Sequence, residues 1–464
     1  MPRLTSASQP KTGGAQTGPG ERPPRGAELE LRIDSLAQGG RGVARTAGGF
    51  VVFVAGGLPG DLVRAQVGKS KRSHAEATAV ELLEAAPERI ADTCTHGSEP
   101  CPGAPWQGLP YELQLEHKAE QVAEALSRIG GFDAIEPEPI VAAVEQWRYR
   151  NKLEYSFGAD REAPAGVALG FHARGRWDRV VDVEDCRLAS QANNAARNEV
   201  REWARREVVP PYDRTARVGV LRNLVVREGR RTGQIQTRLI TSPATIPRPP
   251  TDLHTIVEGD GGGTAGPTGV LGEPVLRERL GELELEVAPT AFLQTNTETA
   301  ELLYGVAREF AALSGGERLF DLFCGVGTIG LLMAADAGEV WGIESVADAV
   351  ADAEANAEAN RIGNARFRTA DARLGIRPLL EEAGRPDVVV IDPPRAGLSQ
   401  KIVRRVIECD AERIVYVSCN PTTLAPNARQ LVDDGGYRLV RVRPVDMFPQ
   451  TPHIECVALL EKQR

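Results

Sequence analysis

Four short segments carry residue types that make and break bonds. In Tyr416-Val417-Ser418-Cys419-Asn420-Pro421 a thiol stands where an apolar run ends and Pro421 turns the chain away. A thiolate there is a strong nucleophile, so Cys419 is the candidate for covalent attack. Asp392-Pro393-Pro394-Arg395 closes the apolar run Val388 to Ile391 in the same way and sets a carboxylate at the exit. Between Asp446 and Val457, His453 and Glu455 stand directly before a terminal apolar strand, and either is suited to move a proton. Finally, Gly325-Val326-Gly327-Thr328-Ile329-Gly330 follows a strand-like run, and Glu344 ends the next run 19 residues after Gly325. Glycines at that spacing let a nucleotide approach the backbone, while the carboxylate accepts ribose hydroxyls.

Such groups work together only if the fold brings them to one edge. After Glu286, strand-like runs (Arg318 to Phe323, Glu339 to Glu344, Val388 to Ile391, Ile414 to Ser418) alternate with helical ones from Gly327, across Ala347 to Asn360 and over Gln400 to Cys409. That alternation predicts an α/β, doubly wound, Rossmann-like parallel sheet whose ligands lie beyond the carboxyl ends of its strands. NAD and S-adenosylmethionine both fit the glycines. Asp-Pro-Pro at a strand end, beside the group to be transferred, favours the methyl donor. Cys324, inside the glycine turn, is read as packing.

The chain ahead of that domain divides by composition. Residues 1–26 are Gly, Pro, Ser, Thr and Gln with almost nothing to bury, which predicts a disordered tail. Residues 27–87 hold short alternating segments (Leu29 to Ile33, Phe50 to Val54, Leu62 to Val67) and predict a small β-barrel of the oligonucleotide-binding kind, with positive charge on the turn from Val67 to His74. Residues 88–286 read as a mixed α+β region with a helix over Tyr111 to Ile129, strands near Lys152 to Phe157 and Val167 to Phe171, and a Gly-rich loop over Glu258 to Gly272. From Glu145 to Arg231 there are 18 Lys and Arg against 13 Asp and Glu, although the whole chain of 464 residues carries −9. An acidic chain does not coat polyanions over its whole surface, but a local basic path does not need it to. No apolar run approaches a membrane span or a signal peptide, and the seven scattered cysteines are no disulfide framework, so a cytoplasmic protein is expected.

Together these segments resemble the RNA 5-methyluridine (uracil-C5) methyltransferases. The matching stretches are Phe292-Leu293-Gln294-Thr295-Asn296, Asp321-Leu322-Phe323-Cys324-Gly325-Val326-Gly327, Asp392-Pro393-Pro394-Arg395-Ala396-Gly397, Val417-Ser418-Cys419-Asn420-Pro421 and Phe448-Pro449-Gln450-Thr451-Pro452-His453-Ile454-Glu455. The barrel is similar to that family's TRAM domain, and residues 287–464 correspond to its S-adenosylmethionine-dependent catalytic domain. The resemblance implies an enzyme methylating C5 of a uridine in ribosomal or transfer RNA. It further implies that Gln294, Phe323, Glu344 and Asp392 contact S-adenosylmethionine, that Cys419 is the nucleophile and that Glu455 is the base. RNA is then the partner. Neither a membrane nor an obligate protein partner is implied.

Members of the family often carry a [4Fe-4S] cluster on four cysteines. Cys94, Cys101 and Cys186 match three of those positions, but Cys101-Pro102-Gly103-Ala104 has Ala104 where the third ligand belongs, so a four-thiolate site is incomplete. A cluster with a non-protein fourth ligand, zinc on these cysteines with His96, or no metal all stay open. Two other functions compete. An amino-group nucleic-acid methyltransferase also uses Asp-Pro-Pro, but an aromatic residue normally follows, where Arg395 stands here, and it has no use for Cys419. A non-catalytic RNA-binding relic would account for Ala104 but not for an intact Cys419 and Glu455.

Overall fold

The computed structural model describes residues 22–96, 99–159, 166–173, 175–250, 253–259 and 267–463; the expected tail lies outside the described residues as far as residue 21. The chain packs as two compact units, Met1–Asp92 with Pro105–Pro110, and Thr93–Ala104 with Tyr111–Arg464.

In the first unit, β1 (Glu28–Leu36), β2 (Gly42–Arg45), β3 (Val51–Ala55), β4 (Leu62–Ser70) and β5 (His74–Glu84) close into a barrel in the order β1-β2-β3-β5-β4. Alternation along the strands turns Leu29, Leu31 and Ile33 inward to meet Val63, Ala65 and Val67. Ile33 fits because Gly42 and Gly57 leave it room; a Cβ at either would sit 2.7 Å from its side chain. The backbone joins the barrel from Gly26, whose N–H donates to the Val67 carbonyl at 2.8 Å. Lys71, Arg72 and Ser73 form the exposed β4–β5 turn. Glu76 partly neutralises it, lying 3.6 Å from Lys71 and 3.1 Å from Arg41.

The second unit holds two large sheets. The first contains β6 (Lys152–Ala159), β7 (Val167–His172), β8 (Val180–Asp182), β9 (Leu221–Glu228), β10 (Ile235–Thr241), β11 (His254–Gly259) and β12 (Pro267–Leu271), ordered β8-β7-β6-β9-β10-β11-β12. The glycine-rich stretch is thus not all loop: Glu258 and Gly259 end β11, Pro267–Leu271 pair with it as an edge strand, and 260–266 lie outside the described residues. An edge strand tolerates Pro and Gly because one side of it needs no partner. A hairpin, β13 (Leu276–Leu280) with β14 (Leu283–Val287), leads into the catalytic region.

There β15 (Arg318–Leu322), β16 (Glu339–Glu344), β17 (Ala365–Thr369), β18 (Val388–Ile391), β19 (Arg413–Ser418), β20 (Tyr437–Val445) and β21 (Glu455–Lys462) form a sheet ordered β17-β16-β15-β18-β19-β21-β20. The first five are parallel; β21 enters antiparallel between β19 and β20. Val388–Ile391 is buried on both faces, as a central parallel strand must be. Helices α3 (Thr297–Ala311), α4 (Thr328–Met333), α5 (Ala347–Ala359), α6 (Ala372–Ala383), α7 (Gln400–Cys409) and α8 (Pro421–Gly435) cover the two faces and bury separate apolar cores, while α2 (Gln191–Arg206) packs on the preceding sheet. The helix read over Tyr111 to Ile129 forms as α1 (Tyr111–Glu124) plus a π turn (Ala125–Ile129). Val122, Leu126 and Phe132 join the catalytic core, and Glu138 and Val141 donate backbone hydrogen bonds to β20.

Candidate active site

Each of the five parallel strands of the catalytic sheet leads into a helix, and the functional groups sit at those strand ends or, for Glu455, at the start of β21 beside them. Gly325 and Gly327 adopt φ of 54° and 83°, a left-handed turn that opens α4. Gly330 lies so close to β15 that a Cβ would stand 2.9 Å from Asp321 Oδ2. Asp371, Ser399 and Asn420 cap α6, α7 and α8, accepting from the amides of Arg373, Ile402 and Thr422. Cys419 therefore lies between the end of β19 and the first turn of α8, where the helix dipole favours an anion. Because β21 runs antiparallel with Ser418 opposite Cys456, its first residue, Glu455, returns to the edge where β19 ends.

Gln294, Phe323, Glu344, Asp392, Cys419 and Glu455 thus gather at the carboxyl edge. Gln294 is held through its backbone: Asn151 Nδ2 donates to its carbonyl at 2.9 Å, and the Asn151 amide donates to Thr295 at 2.9 Å. Its side chain hydrogen-bonds Tyr304 of α3. Phe323 turns out of β15 at φ 66° and, with Ile343, Glu344, Asp371 and Ile402, lines a cavity of about 130 Å³. Glu344 accepts from the amides of Gly325, Ser345 and Val346 at 3.3, 2.6 and 3.0 Å, which fixes its carboxylate at the mouth of that cavity. A larger cavity of about 610 Å³, between α3, α4 and the loop after α5, contains none of these six side chains.

The edge is an acidic cluster taken out of water. Burial, then the charge of Asp321, pushes Asp392 up to about 7. Burial also raises Asp321 to about 7, against a hydrogen bond from the Gly330 amide, and its Oδ1 has no partner. Glu455 is raised well above the usual carboxylate range by burial and by Asp392, with Arg395 opposing. The Cys419 thiol is pushed up to about 11 by burial, then by Glu455 and Asp392, again opposed by Arg395. Burial, then Arg395, Arg150 and Lys118, lowers His453 to about 4 and keeps its ring neutral, which leaves Glu455 as the better proton acceptor of the pair. A buried cluster of raised acids with one orphaned carboxylate oxygen is a place for a cation. The cavity of about 130 Å³, the glycine turn and the Glu344 carboxylate adjoin it, so the donor set fits S-adenosylmethionine. Tyr304 and Arg395 also belong here. Tyr304 lies on α3, and its only signal in the sequence is the helical apolar spacing of Ala300, Leu303, Tyr304, Ala307 and Phe310.

The segment carrying His453 and Glu455 is braced from below. Lys118 Nζ lies 2.5 Å from Asp446 Oδ1 with both side chains fully buried, and it donates to the Phe448 carbonyl at 3.1 Å. Gln114 exchanges hydrogen bonds with the Gln450 amide and side chain, and Tyr149 donates to the Pro449 carbonyl. Lys118→Met would strand the Asp446 charge in the interior and is expected to cost about 3–5 kcal/mol in urea unfolding, whereas Lys118→Met with Asp446→Leu should recover most of it. A single-variant loss under about 1 kcal/mol would show the pair to be solvated.

The other four-position motif does not close. The Cys94 and Cys101 thiols hydrogen-bond each other, Cys186 lies near enough to feel their charge, and Ala104 fills the fourth corner with 1% exposure. Cys101 and Cys186 are raised and hold their protons. The His96 side chain lies outside the described residues, and among the described residues no group of three or more metal-ligating side chains is arranged to hold a metal. These residues do not fit a four-thiolate cluster. Anaerobically purified protein is expected to lack the broad visible band of a [4Fe-4S] centre, with Ala104→Cys raising bound iron; stoichiometric iron in the unaltered protein would contradict this. Cys324, Cys409 and Cys456 are buried as packing residues.

The comparisons with known proteins agree with the geometry. Residues 277–463 match a family described as tRNA (Uracil-5-)-methyltransferase, and residues 24–80 match the TRAM domain. An uncharacterized RNA methyltransferase of Halalkalibacterium halodurans is 35% identical over 455 residues, spanning 93% of this chain and 96% of that one. Another, from Bacteroides thetaiotaomicron, is 37% identical over 457 residues and spans 92% and 100%. The solved tRNA (uracil-54, C5)-methyltransferase of Pyrococcus abyssi, in complex with S-adenosyl-L-homocysteine, is 28% identical and superposes with a TM-score of 0.75 over 93% of this chain and all of that one. The chain belongs to the TRAM-containing, S-adenosylmethionine-dependent RNA (uracil-5-)-methyltransferase family.

Proposed function

We propose that this enzyme methylates C5 of an unpaired or flipped-out uridine in transfer or ribosomal RNA through a covalent adduct between Cys419 and C6. The observation that carries the reading is the meeting of one thiol and one buried carboxyl, Cys419 and Glu455, at the edge that also bears Asp392 and the glycine turn. C5 of uracil is a weak nucleophile, so activation has to come first. The Cys419 thiol gives up its proton to solvent, and its sulfur bonds to C6 while the C5–C6 electron pair moves toward O4. S-Adenosylmethionine supplies an electrophilic methyl group on a sulfonium. Carbon C5 takes that methyl with its enolate pair, and the donor's carbon–sulfur bond breaks. Glu455 gives up its own proton to solvent before this stage; its carboxylate then removes the C5 proton, the C5–C6 double bond re-forms and the Cys419 thiolate leaves. Gln294, Phe323, Glu344 and Asp392 would hold the donor.

Ring atoms C5 and C6 are covered in stacked RNA, hence the need for an unpaired or extruded base. The test is to incubate transfer and ribosomal RNA fractions from cells lacking the protein with radiolabelled S-adenosylmethionine and digest the product to nucleosides. Label in 5-methyluridine supports the proposal, and the labelled fraction identifies the RNA; label in a methylated adenine or cytosine defeats it.

The acidic cluster gives a pH dependence. Below about 7, Asp392 and Asp321 hold protons; above it they are charged and attract a sulfonium. Affinity for S-adenosylmethionine is therefore expected to rise roughly tenfold between about pH 6 and pH 8, whereas S-adenosylhomocysteine, with an uncharged sulfur, should gain much less. Calorimetric titration of both ligands across that range measures the difference, and equal slopes would contradict it.

A further inference from the structure

Trp177 sits at the tip of the β7–β8 hairpin with 64% of its surface exposed. The tip is an ordered turn: the Ala173 amide donates to the Arg179 carbonyl, and the Arg176 amide to Ala173, both at 2.9 Å. Among the described residues, Arg176, Asp178 and Arg179 flank the indole in the turn. That acid is neutralised by Arg176, which grips Asp178 through two hydrogen bonds of 2.8 Å. The turn therefore presents an exposed flat apolar ring with guanidinium side chains next to it in the chain, a combination suited to a nucleobase and its phosphate.

Topology places this tip at the working end of its sheet. β7 runs antiparallel to β6 with Gly170 opposite Ser156, and Val180 of β8 lies opposite His172, so the turn extends past the end from which β6 starts. Arg150 stands at that same end, 5.7 Å over the Phe448 ring, and Phe448 meets His453 edge-on at 6.0 Å. Asn151, next along, holds Gln294 and Thr295. The sheet end that bears Trp177 is thus the end that abuts the catalytic edge.

We propose that Trp177 is a stacking platform for an unpaired base of the RNA substrate, flanking the target uridine. The inference rests on the RNA-methylating reading above. A platform acts on the bound state and on the transition state alike, so it lowers KM for RNA without changing the chemical step.

Trp177→Ala is expected to raise the RNA KM and the Kd for a short single-stranded oligouridylate about tenfold, or ~1.4 kcal/mol. The kcat at saturating RNA and the KM for S-adenosylmethionine should stay within about twofold, and Trp177→Phe should restore most of the affinity. Fluorescence gives a readout independent of activity. Trp106, Trp203 and Trp341 are buried and Trp147 is half-buried, so Trp177, the most exposed of the five, should supply a red-shifted emission that RNA quenches in the unaltered protein and not in Trp177→Phe. Unchanged KM and Kd in Trp177→Ala, or an emission indifferent to RNA, would overturn the proposal and assign the exposed indole to another contact. If the unaltered protein makes no 5-methyluridine in any RNA, the reaction reading has failed instead, whatever Trp177 does to binding.

Discussion

Cys419→Ala is expected to abolish methyl transfer, with turnover falling by roughly 10⁴-fold or more, as removal of a covalent nucleophile does elsewhere. The size follows from the chemistry rather than from binding. Without sulfur on C6, no electron density reaches C5, and the remaining residues can only hold two unreactive partners together. RNA and donor binding should be nearly unchanged, because Cys419 is half-buried beside the cap of α8 and the fold does not lean on its side chain: the cap bonds come from Asn420. Cys419→Ser should be almost as inactive, since a hydroxyl ionises several units above a thiol. Methylation surviving in Cys419→Ala would mean that C5 is activated by some other group and would remove the covalent route altogether.

Glu455→Gln is expected to stop the reaction later and in a recognisable way. The nucleophile and the methyl acceptor are untouched, so the first two bonds should form. The C5 proton then has no acceptor, and turnover should fall by about 10²–10⁴-fold while methylated RNA remains attached to the protein. Denaturing gels of the variant with natural RNA should therefore show a covalent complex that the unaltered enzyme does not accumulate. The substitution should be mild structurally, because the amide keeps the size and shape of the buried carboxyl and adds no charge to the interior. If Glu455→Gln turns over normally, another group takes the proton; His453, held neutral nearby, is the first to examine.

Much of the catalytic edge is legible in the sequence because the fold advertises it twice. Apolar runs such as Val388–Ile391 are bounded by residues that can only be turns, and those turns hold the chemistry. Other elements leave weaker traces. β20 alternates Arg438, Arg441 and Arg443 with apolar residues and reads as charged, yet it is an outer strand whose arginines pair with Glu461, Glu138 and Glu309. β17 is short and carries Arg366 and Arg368 for the same reason, at the opposite edge. The packing of α1 on the catalytic core, and the Lys118–Asp446 brace it supplies, join residues 328 positions apart and have no local signature. Nor does any spacing reveal that Asp321 raises the proton affinity of Asp392, and that Asp392 raises that of Glu455 and Cys419. That property belongs to the assembled edge, where burial weakens the solvation of every charge at once.

The central claim is that Cys419 bonds to C6 of a uracil, and 5-fluorouridine-substituted RNA tests it most directly. Fluorine at C5 leaves no proton for Glu455 to remove, so the methylated adduct cannot collapse. With S-adenosylmethionine present, a stable protein–RNA complex should form, and mass spectrometry of its peptides should place the modified nucleotide on Cys419. A complex mapped to another residue, or no complex with an enzyme that methylates the unsubstituted RNA, would contradict the account.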